Sequence, residues 1–363
     1  MSSLAQRIGR TVAAAETKGA ATAFLNFAIA SALEPRSRKA AAELFHARWP
    51  RSIHKDAIER HVKSVVTPGS TTSSPLVELQ PLASAFIEHL RPLTVLGRIS
   101  DSMRRVPFNI KVPRVTAGAT AHWIGQGRVK AASALALDNV SLPHAKIVAL
   151  VVISKDLARL SDPSAEAVIR NDMTQAIAAA ADTSFLTPSL AAVANQSPAS
   201  ITNGATEITS TGTTADAATA DLRSLFAAVS TPLTAPYLIM RPSTALWLAS
   251  LGNTFPNIGA TGGSLWGVPV IVSANAPTDG SSPAKFLVTL LDAAEVLLAE
   301  GDIEIKTATD ASIQMESSPD SPVTASTVLL DFFSHDLLGL MAERFIYWQP
   351  RRSGAVVYLY APY

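Results

Sequence analysis

The chain has 363 residues, an apolar fraction of 48%, a charged fraction of only 16%, no cysteine and a formal net charge of +1. The lack of cysteine excludes disulfides, thiolate nucleophiles and the usual structural zinc sites. The sequence contains no run of eighteen apolar residues, so no membrane span is predicted. A charged fraction well below the usual quarter predicts that subunit contacts cover much of the surface.

The first 75 residues differ in charge from the rest of the chain. They hold eleven lysines and arginines against five acids, a balance of +6, which leaves −5 for residues 76–363. They are rich in alanine, with apolar residues at helical spacing and no apolar core of a secretory signal. Two interpretations stay open: a small basic helical domain, or a segment for assembly or nucleic-acid contact. The polar, turn-rich residues 67–75 then predict an exposed linker.

Between the linker and residue 147 we predict a short helix, extended pieces and a long two-armed β ribbon. The helix covers residues 81–90, an extended piece follows at 91–98, and residues 103–115 alternate apolar and polar side chains as a strand does. The ribbon occupies residues 116–147. An arm of about 13–15 residues at roughly 3.3 Å per residue reaches ~45 Å, most of the span of a compact chain of this length.

The ribbon carries apolar side chains that need cover. They are Trp123, Ile124, Leu135, Leu137, Val140 and Leu142. A lone two-stranded ribbon is marginally stable in water, so either it folds back over its own domain or another copy of the chain covers it. We favour the second alternative.

A strand at residues 148–153 leads to a long helix with a clear start signal. Asp162 provides an N-cap, and Pro163 occupies the first helical position, where its missing N–H costs nothing. Apolar residues then recur at helical spacing until residues 182–185, and Pro188 prevents the helix from resuming.

The C-terminal half mixes helices and strands. We predict helices at residues 214–230 and 242–251, and strands at residues 237–240, 264–273, 285–291, 295–299, 304–307, 326–333 and 337–346. Strands that pair at long range, with helices on their faces, indicate an α+β fold rather than a doubly wound sheet.

No pattern of reactive residues points to catalysis. The Gly-rich residues 253–263 are interpreted as a turn and not a phosphate cradle, because no Lys-Ser/Thr follows and the next element is a strand. Of seven histidines only His54 and His61 share a helical face, with no third ligand at a suitable spacing. No Gly-x-Ser-x-Gly elbow is present. We therefore predict no catalytic, cofactor-binding or metal-binding residues, no cofactor and no enzymatic activity.

Several phrases, in their order and spacing, carry a resemblance to a known family. They are residues 86–98 (FIEHLRPLTVLGR), 106–114 (VPFNIKVPR), 118–127 (GATAHWIGQG), 154–157 (SKDL) with 161–164 (SDPS), 200–204 (SITNG) and 262–270 (GGSLWGVPV). Over about residues 75–350 the chain resembles the HK97-type major capsid proteins of tailed bacteriophages and prophages. The resemblance implies an α+β, HK97-like capsid fold with an extended β-hairpin called the E-loop, a long spine helix, and peripheral and axial domains.

The resemblance also implies a division of the chain. Its parts are a basic, scaffold-like N-terminal segment (1–66), a linker and candidate cleavage region (67–76), an N-terminal arm with the first peripheral strands (77–115), the E-loop (116–147), the peripheral domain with the spine helix (148–213), the axial domain (214–284) and the remaining peripheral and axial strands (285–363). In many family members a phage protease removes the N-terminal segment. Residues 1–75 carry no catalytic signature, so any cleavage is expected from a separate protein.

The resemblance implies a structural virion protein. Copies are expected to form pentamers and hexamers of an icosahedral shell, assembled in the bacterial cytoplasm around double-stranded DNA that is bound without sequence specificity. A portal and a separate maturation protease are the implied partners, and no membrane is. The alternatives are a gene-transfer-agent capsid, an encapsulin-like nanocompartment, against which the N-terminal segment weighs, and a non-viral binding module.

The founding member of this family joins its subunits by Lys–Asn isopeptide bonds, aided by a glutamate. Lys130 in the ribbon can stand for the lysine. Alignment on residues 342–345, however, puts Ala342 at the glutamate position and His335 near the asparagine position. Acyl transfer needs a base and a carboxamide at that place, so no covalent cross-links are expected.

Overall fold

A computed structural model shows the fold of the chain. The structure describes residues 19, 22–23, 26–31, 33–34, 37–50, 52, 54–56, 58–59, 91–117, 122–124, 126, 136–156, 163–194, 196–316, 319–324, 326–352 and 354–363. The helices there are α1 (Arg38–Arg48), α2 (Val95–Ile99), α3 (Pro163–Leu186), α4 (Ala215–Ala228) and α5 (Pro242–Ser250). The strands are β1 (Arg104–Arg105), β2 (Lys111–Ala117), β3 (Ala136–Ser141), β4 (Lys146–Ser154), β5 (Thr206–Ile208), β6 (Pro236–Met240), β7 (Ile258–Gly259), β8 (Gly262–Leu265), β9 (Val268–Val272), β10 (Phe286–Asp292), β11 (Val296–Ala308), β12 (Ser312–Ile313), β13 (Leu330–Asp331), β14 (Leu337–Pro350) and β15 (Val356–Ala361).

The chain forms two compact units, each built from three separate stretches. The first contains Met1–Leu93, Ile147–Ala178 and Asp302–Arg344, and the second contains Thr94–Lys146, Ala179–Gly301 and Phe345–Tyr363. The finer division into seven segments stays a prediction. In the described part of the chain, no helix is long and apolar enough to cross a membrane.

The first unit packs helical residues of the N-terminal segment against a sheet. The parts of β11 and β14 that belong to this unit lie beside β4, in the order β11-β14-β4. The core joins Phe27, Phe45 and Ile58 from the basic segment to Ile153 of β4 and Leu338 of β14. The described part of the basic segment therefore shares its core with later parts of the chain.

The second unit contains a seven-stranded mixed sheet in the order β5-β15-β10-β6-β9-β8-β7. Strand β10 pairs antiparallel with β15 and β6, and β6 pairs parallel with β9. Helices α4 and α5 contribute to the core of this sheet through Leu222, Leu225, Ala245 and Leu248. The α+β prediction is confirmed.

The predicted starts of three helices agree with the structure to within one residue. Helix α3 begins at Pro163 as predicted and ends one residue beyond the predicted end, at Leu186. Its predicted N-cap, Asp162, lies outside the described residues. Helix α4 follows Thr214, whose side chain accepts a hydrogen bond from the Ala217 N–H. Helix α5 starts at Pro242 as predicted.

Six predictions for extended segments are wrong in part. The strand at 264–273 is two antiparallel strands, β8 and β9, because Trp266 and Gly267 take positive φ values of 49° and 85° and form a turn between them. Residues 91–98 are not extended, because Thr94 caps helix α2 by accepting a hydrogen bond from the Gly97 N–H. The strand at 103–115 is interrupted by Asn109, which has a left-handed φ of 60°. The strands at 295–299 and 304–307 are the single strand β11, and the strand at 326–333 shrinks to β13. The predicted helix at 81–90 lies outside the described residues.

Candidate subunit interface

The predicted ribbon is a hairpin of strands β2 and β3. The strands pair antiparallel, with Lys111 opposite Ser141 and Ala117 opposite Ala136. The ladder therefore begins five residues before the predicted start at residue 116. The Arg114 guanidinium lies 2.6 Å from the Asp138 carboxylate across it. Hydrogen bonds from the Asn139 N–H, which has the larger effect, and from Arg114 hold the pKa of Asp138 below its usual value. Because Asp138 is exposed, this pair defines the register more than the stability.

The base of the hairpin is anchored within the second unit. Val140 and Leu142 are buried against Leu297 and Ala299 of β11. The backbone N–H of Asn109 donates to the Leu142 carbonyl at 2.8 Å. Two of the six apolar residues of the ribbon are thus covered by the chain itself.

The far end of the hairpin presents apolar side chains to solvent. Trp123 is fully exposed and Ile124 is 41% exposed. Leu135 lies outside the described residues, and only the backbone pairing of Leu137 with Val115 is described. Burial of an aromatic side chain removes 150–250 Å² from water, which at about 25 cal/mol per Å² is worth roughly 4–6 kcal/mol. An exposed tryptophan on an anchored arm therefore suits contact with another molecule.

A second set of exposed apolar residues lies in the first unit, between β11 and β14. Its members are Met315, Val323, Val328, Leu329 and Phe333, each more than half exposed. Polar contacts connect residues of the same loop. The Asp320 carboxylate accepts from the Thr327 hydroxyl at 2.7 Å, and the Gln314 amide bonds both the N–H and the carbonyl of Asp320. Large exposed apolar side chains on a braced loop indicate a contact surface.

The open face of strand β4 adds further apolar surface. Its side chains alternate, with Ile153 in the core of the first unit and Val148 and Leu150 on the exposed face. β4 is the last strand in the order of its sheet. The predicted strand at 148–153 is confirmed.

The Gly-rich loop forms a hairpin rather than an anion site. Strands β7 and β8 pair antiparallel through Ile258 opposite Gly263 and Gly259 opposite Gly262, and no helix follows. The turn interpretation is confirmed. Among the described residues, no group of three or more histidine, aspartate or glutamate side chains is placed to hold a metal ion. His61 lies outside them.

Lys130, the lysine expected to form a cross-link, lies outside the described residues, and the two other expected positions hold neither a glutamate nor an asparagine. Ala342 is buried in the core of the first unit and offers no carboxylate. Its neighbour Glu343 accepts a hydrogen bond from the Lys306 ammonium, which also lies 3.3 Å from Glu304. The hydrogen bonds to Glu343, which has the larger effect, and to Glu304 raise the pKa of Lys306. This amine therefore stays protonated and is a poor nucleophile.

Particles of this protein boiled in SDS are therefore expected to release monomers only. The glutamate position holds Ala342, and Lys306, which pairs with the neighbouring Glu343, carries a proton. Denaturing gel electrophoresis measures this directly, and a ladder of oligomers would contradict it. A Lys306→Arg variant, which keeps the charge and cannot form an amide, tells whether Lys306 is the origin of any ladder.

The fold is that of capsid chains in solved particles. A structure from Gordonia phage Cozz matches with a TM-score of 0.53 and 16% identity, over 82% of this chain and 98% of that chain. The capsid of a native GTA particle matches with a TM-score of 0.51 and 12% identity, over 72% and 89% of the two chains. These likenesses confirm the HK97-like capsid fold.

The sequence comparisons identify the family. The chain is 39% identical over 312 residues to the capsid polyprotein of Pseudomonas phage PAJU2, which is 82% of this chain and 46% of that protein. The chain thus spans about half the length of this relative. The model described as the phage capsid family matches residues 80–360. The chain belongs to the phage capsid family.

Proposed function

We propose that this chain is the major capsid protein of a tailed bacteriophage or prophage, and that its copies close into an icosahedral shell around double-stranded DNA. The observation that carries the proposal is the hairpin. Its base is fixed by Val140 and Leu142, while Trp123 at the far end is bare. Such an arm gives an isolated subunit nothing, and it offers a neighbouring copy an apolar contact.

The shell needs no chemistry to close. Permanent interfaces bury about 2,000 Å² or more, and weak contacts repeated around closed symmetry add to a stable assembly. The hairpin tip, the loop between β11 and β14 and the face of β4 supply apolar surface from both units. Family membership supports a structural role, and we propose that the chain is not an enzyme.

Partners and location follow from the same proposal. A portal and a separate protease that cleaves within residues 67–76 would act on the shell as it is built in the bacterial cytoplasm. Without its basic segment the body carries −5. The inner wall would therefore bind the enclosed DNA weakly and without sequence specificity. That charge suits a container whose contents must leave.

A gene-transfer-agent capsid is the second candidate. The match to the capsid of a GTA particle is nearly as good as the match to the Cozz structure. Sequencing the nuclease-protected DNA of purified particles separates the two, because a phage shell holds one genome and a gene transfer agent holds random host fragments.

Negative-stain images and light scattering of the purified full-length protein test the proposal. Closed shells of uniform size are expected. A stable monomer at every concentration would overturn it in favour of a non-viral binding module, and shells that enclose a specific protein rather than DNA would favour a nanocompartment.

Replacing Trp123 with serine is expected to weaken assembly without weakening the fold. The side chain is fully exposed, so the free energy of unfolding of the subunit should change by less than about 0.5 kcal/mol. The concentration needed for shells should rise at least tenfold, as light scattering will show. The matched control is His122→Ser, an exposed neighbour without a large apolar ring. Shells formed by Trp123→Ser at the wild-type concentration would contradict the role of the hairpin.

A further inference from the structure

The turn between strands β8 and β9 holds a tryptophan in a conformation that tryptophan disfavours. Leu265 pairs with Val268, so only Trp266 and Gly267 form the loop. Their φ angles are +49° and +85°. A two-residue hairpin with both φ values positive is the type I′ turn, for which Asn-Gly is the preferred sequence. Gly267 suits the turn, whereas a bulky residue with a positive φ is an outlier.

Packing within the subunit uses only part of this side chain. The Trp266 ring lies at 5.6 Å from the Phe226 ring and 6.5 Å from the Phe255 ring, measured between centroids. Phe255 is already buried, and Trp266 remains 52% exposed. About half of the tryptophan side chain thus stays in water, and asparagine at this position would put less strain on the backbone of the turn. Residues held against their preferred conformation are concentrated at functional sites.

The stretch around the turn carries no charge. Residues 242–278 include no aspartate, glutamate, lysine, arginine or histidine. The chain average of 16% charged residues would put about six there. Leu246 of helix α5, in the same stretch, is 57% exposed. Charge-bearing partners are recognised by complementary charge, which this stretch does not supply. Two copies that meet through this stretch, in contrast, bring none of its residues into like-charge repulsion.

We propose that Trp266 is a contact residue between copies of this chain, kept in the turn at the expense of backbone relaxation. The occupant of the exposed ring face is a second copy of the subunit. This inference rests on the proposed function and adds to it a surface separate in sequence from the hairpin at residues 111–141.

The substitution Trp266→Asn separates the two roles of the residue. Asparagine is favoured before glycine in this turn, so the melting temperature of the dissociated subunit should stay the same or rise. The concentration needed for shells, measured by light scattering and negative-stain imaging of the full chain, should rise at least tenfold. Trp266→Phe, which keeps an aromatic ring and the strained backbone, is the control and should assemble within threefold of the wild type.

Two results would overturn the inference. Trp266→Asn shells at the wild-type concentration would show that no copy uses the ring. A fall of more than 5 °C in the melting temperature of the Trp266→Asn subunit would show that packing on Phe226 alone retains the residue. Both results are interpreted for a wild type that forms shells. A wild type that never assembles would instead refute the proposed function, so the two failures are distinguishable.

Discussion

Replacing Gly263 with alanine is expected to destabilise the second unit by about 4 kcal/mol or more, because the new methyl group would collide with backbone. An added Cβ would lie 2.0 Å from the Asn257 carbonyl oxygen and 3.2 Å from the Ile258 Cα. Neither atom belongs to a side chain that can turn away. The φ of +143° adds strain for any residue with a Cβ. Chemical denaturation of the subunit measures the loss.

The same hairpin offers a matched control. A Cβ at Gly259 would meet only the Gly262 carbonyl oxygen, at an ordinary 3.7 Å, so Gly259→Ala should change the free energy of unfolding by less than about 1 kcal/mol. Gly204→Ala tests backbone strain alone, since its φ is +71° with nothing within 4 Å, and should cost about 1–2 kcal/mol. Equal losses for Gly263→Ala and Gly204→Ala would contradict the collision.

Local signals in the sequence are sufficient for the helices of the body. Pro163 and Pro242 mark first helical positions, and Thr214 caps α4. These devices act within one turn, so no tertiary contact is needed to interpret them. Thr94 is the counterexample. It also caps a helix, yet residues 91–98 were predicted to be extended. Helix α2 has only five residues, which is too short to show a helical period in the sequence.

Strand predictions fail where a pattern depends on what lies across the sheet. Gly301 looks like a break between two strands, but a Cβ there would be 3.0 Å from the Phe345 Cβ. The glycine therefore lets a neighbouring strand approach within one continuous β11. Strand β15, a run of valines, tyrosines and leucine, was not predicted individually although its composition favours a strand.

The candidate interface was predictable in outline and not in detail. Trp123 and Ile124 stood out as apolar residues in a ribbon without visible cover, and they are exposed. Residues 326–333 were predicted to form one strand, whereas only Leu330–Asp331 do, and Val328, Leu329 and Phe333 face solvent. Positions where local rules fail are often those that contact a partner, and this loop is such a place.

A buried carboxyl group joins three segments of the second unit. Asp182, near the end of α3, is fully buried. It accepts hydrogen bonds from the Val95 N–H at 2.7 Å and the Ser273 hydroxyl at 2.8 Å. Desolvation by burial raises the pKa of Asp182 to about 6, although the bonds from Ser273 and Val95 and the charge of Arg98 oppose the rise. Its burial could not be foreseen from a sequence in which aspartate mostly faces water.

The substitution Asp182→Asn is expected to stabilise the subunit at pH 7.5 and to lose this advantage by pH 4. The folded pKa of about 6 exceeds the ordinary value of 3.8, so the folded state binds the proton more tightly than the unfolded state. The contribution of Asp182 to stability is therefore complete below pH 3.8 and is lost as the pH rises through about 6. The difference of about two pH units corresponds to roughly 3 kcal/mol. Asparagine resembles the neutral form and keeps an acceptor for the Val95 N–H.

Denaturant unfolding of both proteins between pH 4 and pH 7.5 tests this directly. The carboxylates of Asp138, Asp279 and Asp331, whose pKa values lie below the ordinary value, act alike in both proteins and cancel in the difference. Asp182→Ala is the second variant. It leaves the buried Val95 N–H and Ser273 hydroxyl without an acceptor, at about 1–3 kcal/mol each, and it should be less stable than Asp182→Asn at every pH. A difference between wild type and Asp182→Asn that does not vary with pH would mean that the pKa of Asp182 is the same in the folded and unfolded states, and it would contradict the raised pKa.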